Sequence, residues 1–266
     1  MKLFSVNAGY FKLDGGAMHG VVPKSMWQQA NPADESNMCT WAMRCMLVEH
    51  GNYRILIDTG MGNKQDEKFF SHYHPHGDES LEKNLQKHGY SAEDITDVFL
   101  THLHFDHCGG AVRKEGEELV PAFPKAMYWS TEKHWQAAAS PNEREKASFL
   151  KENFMPLAER TGILRQVDIP DGEEWIQDIR VRFVNGHTDS MMLPQIKFND
   201  RTILVTGRAR TDARVVRVAR PAFRRMIAAE PDIGEIVMRA FILRRVGLML
   251  HGQAGVALIG PAHGAD

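Results

Sequence analysis

The sequence predicts an α/β protein, and three observations carry that prediction. Short apolar runs at 54–57, 98–100 and 179–184 stop abruptly at turn residues. Segments of helical spacing at 79–88, 131–139 and 142–154 alternate with them. Two of the apolar runs end in turns that carry a histidine within three residues, His102 and His187.

Taken in order, residues 2–7 and 42–48 alternate as strands do, and 54–57 is a third strand ending at Asp58-Thr59-Gly60. The Gly/Pro-rich stretch 14–32, with Trp27, is expected to be a surface connection. In the helix at 79–88, Leu81 and Leu85 share a face and Gly89 is the stop. Residues 91–94 turn into the strand 98–100. Helices are expected at 131–139 and 142–154, divided by Ser140-Pro141, and strands at 179–184, 193–198 and 202–206. No internal repeat is present.

With 266 residues, 43% hydrophobic and 25% charged, the chain suits one layered domain or two small ones. A net charge of -2 argues against nucleic acid as a partner. The three cysteines form no C-x-x-C pair, which fits a reducing cytoplasm without a disulfide framework. Residues 1–7 lack a signal-peptide pattern, and no stretch approaches the ~18 apolar residues of a membrane span.

The chemistry concentrates in Thr101-His102-Leu103-His104-Phe105-Asp106-His107-Cys108-Gly109-Gly110. In an extended chain, residues i and i+2 project to the same side, so His102 and His104 can grip one ion. Asp106 and His107 follow the strand end, where a turn can aim them at a second ion. Imidazole and carboxylate donors suit zinc, and also iron or manganese. Gly109 and Gly110 allow close backbone approach and are expected to start a helix. His187, after the run 181–184, is the expected third ligand of the first ion. The run His72-Tyr73-His74-Pro75-His76 is expected to be a solvated loop, Cys108 to pack, and Trp129, Trp135 and Phe149 to be core.

These residues resemble the metallo-β-lactamase superfamily, through H-x-H-x-D-H, the strand-end Asp58-Thr59-Gly60 and the later Gly186-His187. The stretch 101–110 is most similar to the lactonase and ester-hydrolase branches. The resemblance covers residues 1 to about 206 and implies a four-layer αβ/βα sandwich. It implies His102, His104 and His187 on one metal, Asp106 and His107 on a second, and Asp58 as a residue that orders the site. Asp58 reads equally well as a plain turn residue. The implied reaction is hydrolysis of a lactone or other ester-like bond in a small molecule by a metal-activated water, with Asp106 orienting the nucleophile or passing a proton. Thioester or phosphodiester hydrolysis, or iron-dependent dioxygenation, are alternatives on the same fold.

After residue 206 the character changes. From 207 every basic residue is arginine, and ten arginines against five acids leave that segment at +5, hence the first 206 residues at -7. The family's bridging aspartate is expected after the strand 202–206, where Gly207-Arg208-Ala209-Arg210 stands instead. A guanidinium cannot ligate a cation, so a complete two-metal site is not expected unless Asp212 and His263 supply it. Residues 208–266 resemble the junction of a cyclic-nucleotide-binding domain with a thioredoxin-reductase-like flavoprotein. That implies a chimeric chain with an atypical or incomplete second half: helices at 221–229 and 233–250, and a strand at 256–259.

Overall fold

The apolar runs become the central strands of a layered α/β structure. The computed structural model describes residues 1–20 and 22–206; everything expected of 207–266, including Arg208, Asp212 and His263, lies outside them. In chain order the elements are β1 (Lys2–Asp14), α1 (Gly15–His19), α2 (Lys24–Ala30), β2 (Met38–His50), β3 (Tyr53–Ile57), α3 (Glu67–Tyr73), α4 (Leu81–Lys87), β4 (Asp97–Phe99), α5 (Phe105–Cys108), β5 (Val112–Glu115) and β6 (Glu118–Pro121). They continue with β7 (Met127–Ser130), α6 (Glu132–Ala139), α7 (Met155–Glu159), β8 (Leu164–Gln166), β9 (Glu174–Ile176), β10 (Ile179–Val184), β11 (Met191–Phe198) and β12 (Arg201–Leu204).

One sheet has the order β1-β2-β3-β4-β7-β8, a second the order β12-β11-β10-β9, and β5-β6 form a hairpin. Strands β3, β4, β7 and β8 run parallel. Parallel strands covered on both faces need unbroken apolar sequence, which is why 54–57 and 98–100 read as runs and not as alternations. Between the two sheets, Val48, Ile55, Ile57 and Phe99 of the larger meet Ile179, Val181, Met192 and Ile196 of the smaller. The larger sheet's other face packs Leu47, Leu56 and Val98 against Leu81, Leu85, Ala138, Phe154 and Leu157 of the helical layer. Described elements from Glu174 onward are strands only.

Several expectations change here. The stretch 14–32 holds two short helices, and Trp27 stacks on His19 with 4.6 Å between rings. Residues 13–20 and 22–39 cluster as a unit separate from 1–12 and 40–206. The expected helix at 142–154 is instead a turn region with a short 3-10 helix, Lys151–Asn153. Asn142 caps the turn by accepting from the N–H groups of Arg144 and Glu145, and such side-chain bonds compete with a continuing helix. The helix α7 follows, with Pro156 in its first turn where a missing N–H costs nothing. His72 and Tyr73 belong to the end of α3, not to a loop. The strands β5 to β9 are too short or too polar to stand out by periodicity.

Candidate metal centre

The site lies where β3, β4 and β10 end. β3 and β4 are parallel with Ile57 beside Phe99, so Asp58 and the segment from Thr101 leave the sheet at the same edge. Carboxyl ends of parallel strands are where open α/β sheets place ligands. His187 arrives from the second sheet, three residues after β10.

Asp58 is 3% exposed and adopts φ +59°, a left-handed conformation that costs a non-glycine residue and is kept where surroundings enforce it. Oδ1 accepts from Thr101 N at 2.8 Å. Oδ2 accepts from Thr101 Oγ1 at 2.8 Å and pairs with His107 Nδ1 at 2.8 Å. Asp58 therefore braces the site through Thr101 and His107 and is more than a turn residue.

The same bonds orient His102. Thr101 Oγ1 gives its proton to Asp58, so a lone pair faces His102 Nδ1, 3.1 Å away. His102 then carries its proton on Nδ1 and leaves Nε2 bare. That Nε2 is buried with no hydrogen-bond partner among the described residues, and such an orphan is costly unless something binds it. One ring nitrogen each from His102, His104 and His187 lie within 4.8 Å of one another, which makes them the group of described residues able to hold an ion. Burial foremost, then the neighbouring imidazoles, hold His102 well below its ordinary range; burial and His187 take His104 to about 3. Both rings stay neutral, the ligating form. The residues present fit a metal.

Asp106 and His107 sit beside this group on α5, with Asp106 Oδ2 3.4 Å from His107 Nε2. Burial alone would lower His107, but Asp106 and Asp58 outweigh it and raise it to about 10. The α-helical turn begins earlier, at Phe105, and Gly109 and Gly110 start only a short 3-10 helix, Gly109–Ala111. Their role is close approach, because a Cβ on Gly109 would lie 2.0 Å from Met61 O and one on Gly110 2.3 Å from Thr59 O. Thr59 N and Gly110 N bond His107 O and Gly60 O across that contact.

Cys108 is buried in the core and donates to Leu103 O at 3.2 Å. His72, His74 and His76 join no ion-holding group among the described residues. Trp129 packs between the sheets against Trp175, 5.0 Å between rings, and Trp135 against Phe154. Phe149 is core yet also touches the site, its ring 4.6 Å from that of His104. Two features were missed from sequence. The rings of Phe69 and Tyr73 on α3 pack on Phe105, at 5.4 and 4.5 Å. Burial, then the nearby Asp106 charge, raises the Tyr73 phenol. The other is His134, buried on α6 and bonded to Leu103 N. An i, i+4 aromatic pair was the available signal for the first; nothing local marked the second.

Comparison with known proteins agrees with this architecture. An N-acyl homoserine lactonase of Bacillus cereus is 29% identical over 119 residues, covering 41% of this chain and 43% of that protein. The lactonase AiiA of Bacillus thuringiensis subsp. kurstaki is 28% identical over the same length, with the same coverage. The chain thus spans less than half the length of the curated relatives it matches. Among solved structures, a probable metal-dependent hydrolase from Staphylococcus aureus has a TM-score of 0.69 at 26% identity, covering 76% of this chain and 71% of that one. AidC, a dizinc quorum-quenching lactonase, shares the fold at a TM-score of 0.54 and 23% identity, with 76% and 69% covered. The family model described as metallo-beta-lactamase superfamily matches residues 44–230. Because that match runs through both histidine-bearing strand ends and takes in well over half of the sequence, the chain belongs to the metallo-beta-lactamase superfamily.

Proposed function

We propose that this protein is a metal-dependent hydrolase of a lactone or other ester-like bond in a small molecule, working in the cytoplasm. His102, His104 and His187 would hold one divalent ion, zinc by donor type, and Asp106 with His107 would offer the second position, His107 giving up one ring proton as the ion binds. The observation that carries this is the bare, buried Nε2 of His102 inside a group of three histidines. The lactonase relatives favour the ester-like substrate. Among the described residues, no helix is long and apolar enough to cross a membrane.

Held there, a divalent ion supplies Lewis acidity toward a carbonyl and activates water at neutral pH. The chain's own residues do the rest. Asp58 fixes His107 through Nδ1. Asp106, whose side chain is one-fifth exposed, is placed to accept a proton from water and return it to the leaving oxygen. Phe69, Tyr73 and Phe105 offer an apolar wall beside Asp106 for the non-reacting part of a substrate. The raised Tyr73 phenol keeps its proton and can donate to an oxygen.

A second reading is a chain that binds one ion and hydrolyses weakly, favoured by Arg208 where the resemblance calls for the bridging aspartate. Elemental analysis of protein purified without chelator, with a panel of lactones, esters, thioesters and phosphodiesters, tests both. Two equivalents of metal and chelator-sensitive lactone hydrolysis are expected of the first reading, and one equivalent with feeble turnover of the second. No metal and no chelator-sensitive hydrolysis would overturn both. Preference for a thioester or phosphodiester would replace the substrate class, and iron with oxygen consumption would indicate a dioxygenase.

A further inference from the structure

We propose that His134 is a positioning residue that holds the two histidine-bearing loops at the separation one metal ion requires. The inference rests on the metal-centre reading above. His134 stands on α6, one turn past Thr131, whose hydroxyl accepts from the His134 N–H at 3.0 Å. It is 1% exposed and lies outside the H-x-H-x-D-H run.

Each ring nitrogen holds a different loop. Leu103 N, between His102 and His104, donates to His134 Nε2 at 2.9 Å. Because that partner is an N–H, Nε2 must be the bare nitrogen and Nδ1 must carry the proton. Nδ1 then donates to Asp189 O at 2.6 Å, two residues past His187. Burial holds the imidazole below its ordinary range, which keeps it neutral; a second proton on Nε2 would meet the Leu103 N–H head on.

The surrounding segment repeats the same pairing. Ser148 O accepts from Phe105 N at 2.9 Å, on the first loop. Arg144 Nη2 donates to His187 O at 3.2 Å, on the second. The loops also meet directly where Met192 N donates to Thr101 O at 2.9 Å, but that bond lies five residues beyond His187. His104 Nδ1 and His187 Nε2 also lie 3.2 Å apart, but both are candidate ligands; His134 bonds the backbone of both loops from outside the ligand group. Zinc bonds of about 2.0–2.1 Å leave little slack in a three-histidine cage, and buried groups that orient ligands typically govern about 10–100-fold in metal affinity.

The test separates hydrogen bonding from packing. Glutamine offers one acceptor and one donor, as the neutral imidazole does, while methionine offers neither at similar size. Zinc affinity of the metal-free full chain is measured by chelator competition for wild type, H134Q, H134M and H102A, with thermal melting to verify folding. Visible absorption of the cobalt-loaded proteins reports ligand geometry. Expected is zinc binding weakened about 10–100-fold in H134M, a perturbed cobalt spectrum, and recovery of most of both in H134Q. H134M binding as tightly as wild type, or H134Q as weakly as H134M, overturns the inference while H102A still abolishes binding. Should wild type bind no zinc, or H102A bind as wild type does, the metal-centre reading itself falls, and the inference with it. If H134M does not fold, H134N takes its place: its amide is too short to span both loops, and an affinity equal to that of H134Q overturns the inference.

Discussion

The two segments that meet at the candidate centre are built in opposite ways. The segment 101–110 is buried and held many times over, with His102, His104 and His107 at 0%, 6% and 6% exposure. Asp58 makes three polar contacts with it, two to Thr101 and one to His107, and Gly109 and Gly110 lock its end against the turn after β3. The segment 185–190 is irregular, with Asn185, Gly186 and Asp189 exposed, His187 half-buried and Thr188 buried. Its position depends on contacts from the 131–150 region and on Asn185, which accepts from Ser190 N at 2.8 Å. One half of the site is therefore part of the folding core, and the other is set by side chains that reach it. Changes in the first should cost stability as well as metal, and changes in the second should cost metal alone.

The sharpest break in this comparison is H102A, expected to abolish stoichiometric metal, read by elemental analysis. Retention of a full equivalent would remove the three-histidine cage from the reading. Next is Gly109→Ala, whose Cβ has no room beside Met61 O. It should destabilise the chain by about 3 kcal/mol, seen as a lower urea midpoint; an unchanged midpoint would mean that the loop contact is soft. Asp58→Asn keeps the shape but loses the charge facing His107, and should cut metal-dependent hydrolysis about 10–100-fold, checked by kcat/KM on whichever substrate the panel yields. His187→Ala makes the opposite case. It should lose the first metal yet leave stability of the metal-free chain within about 0.5 kcal/mol of wild type, and a large drop in its melting temperature would show that the 185–190 segment is core after all.

The smallest effect concerns Lys64, which donates to Gly109 O behind the first segment. Burial lowers it from 10.5 to about 8. Between those values the unfolded chain binds more protons, so the folded state gains stability as pH rises through that window; below about pH 8 both states are protonated and no gain remains. Wild type should therefore gain on Lys64→Met between about pH 8 and pH 10 in urea midpoint. A difference that does not change with pH would place the ammonium in solvent.

Much of the site was legible because its chemistry is local. Extended backbone delivers i and i+2 to one side, so His102-x-His104 announces itself although both lie past the end of β4, and the polar residues that follow an apolar run mark a strand end. The buried parallel strands were legible for the same reason, being unbroken apolar runs. The segment 142–154 misled because its composition suits a helix while Asn142 and Glu145 spend their hydrogen bonds on a turn. The strands β7 and β8 take their pairing from neighbours far along the chain, and residue order does not encode which neighbour that is.

By itself the sequence determined the α/β class, the H-x-H-x-D-H donors and the strand ends that carry them, since these follow from periodicity and residue chemistry over a few positions. Tertiary structure alone decided that Asp58 accepts from Thr101 and pairs with His107 and that His134 joins the two loops, and it brought His187, expected from the sequence, beside His102 and His104. Those contacts link residues 31 to 85 positions apart, and such separations are set by how sheets and helices pack, which no local pattern records.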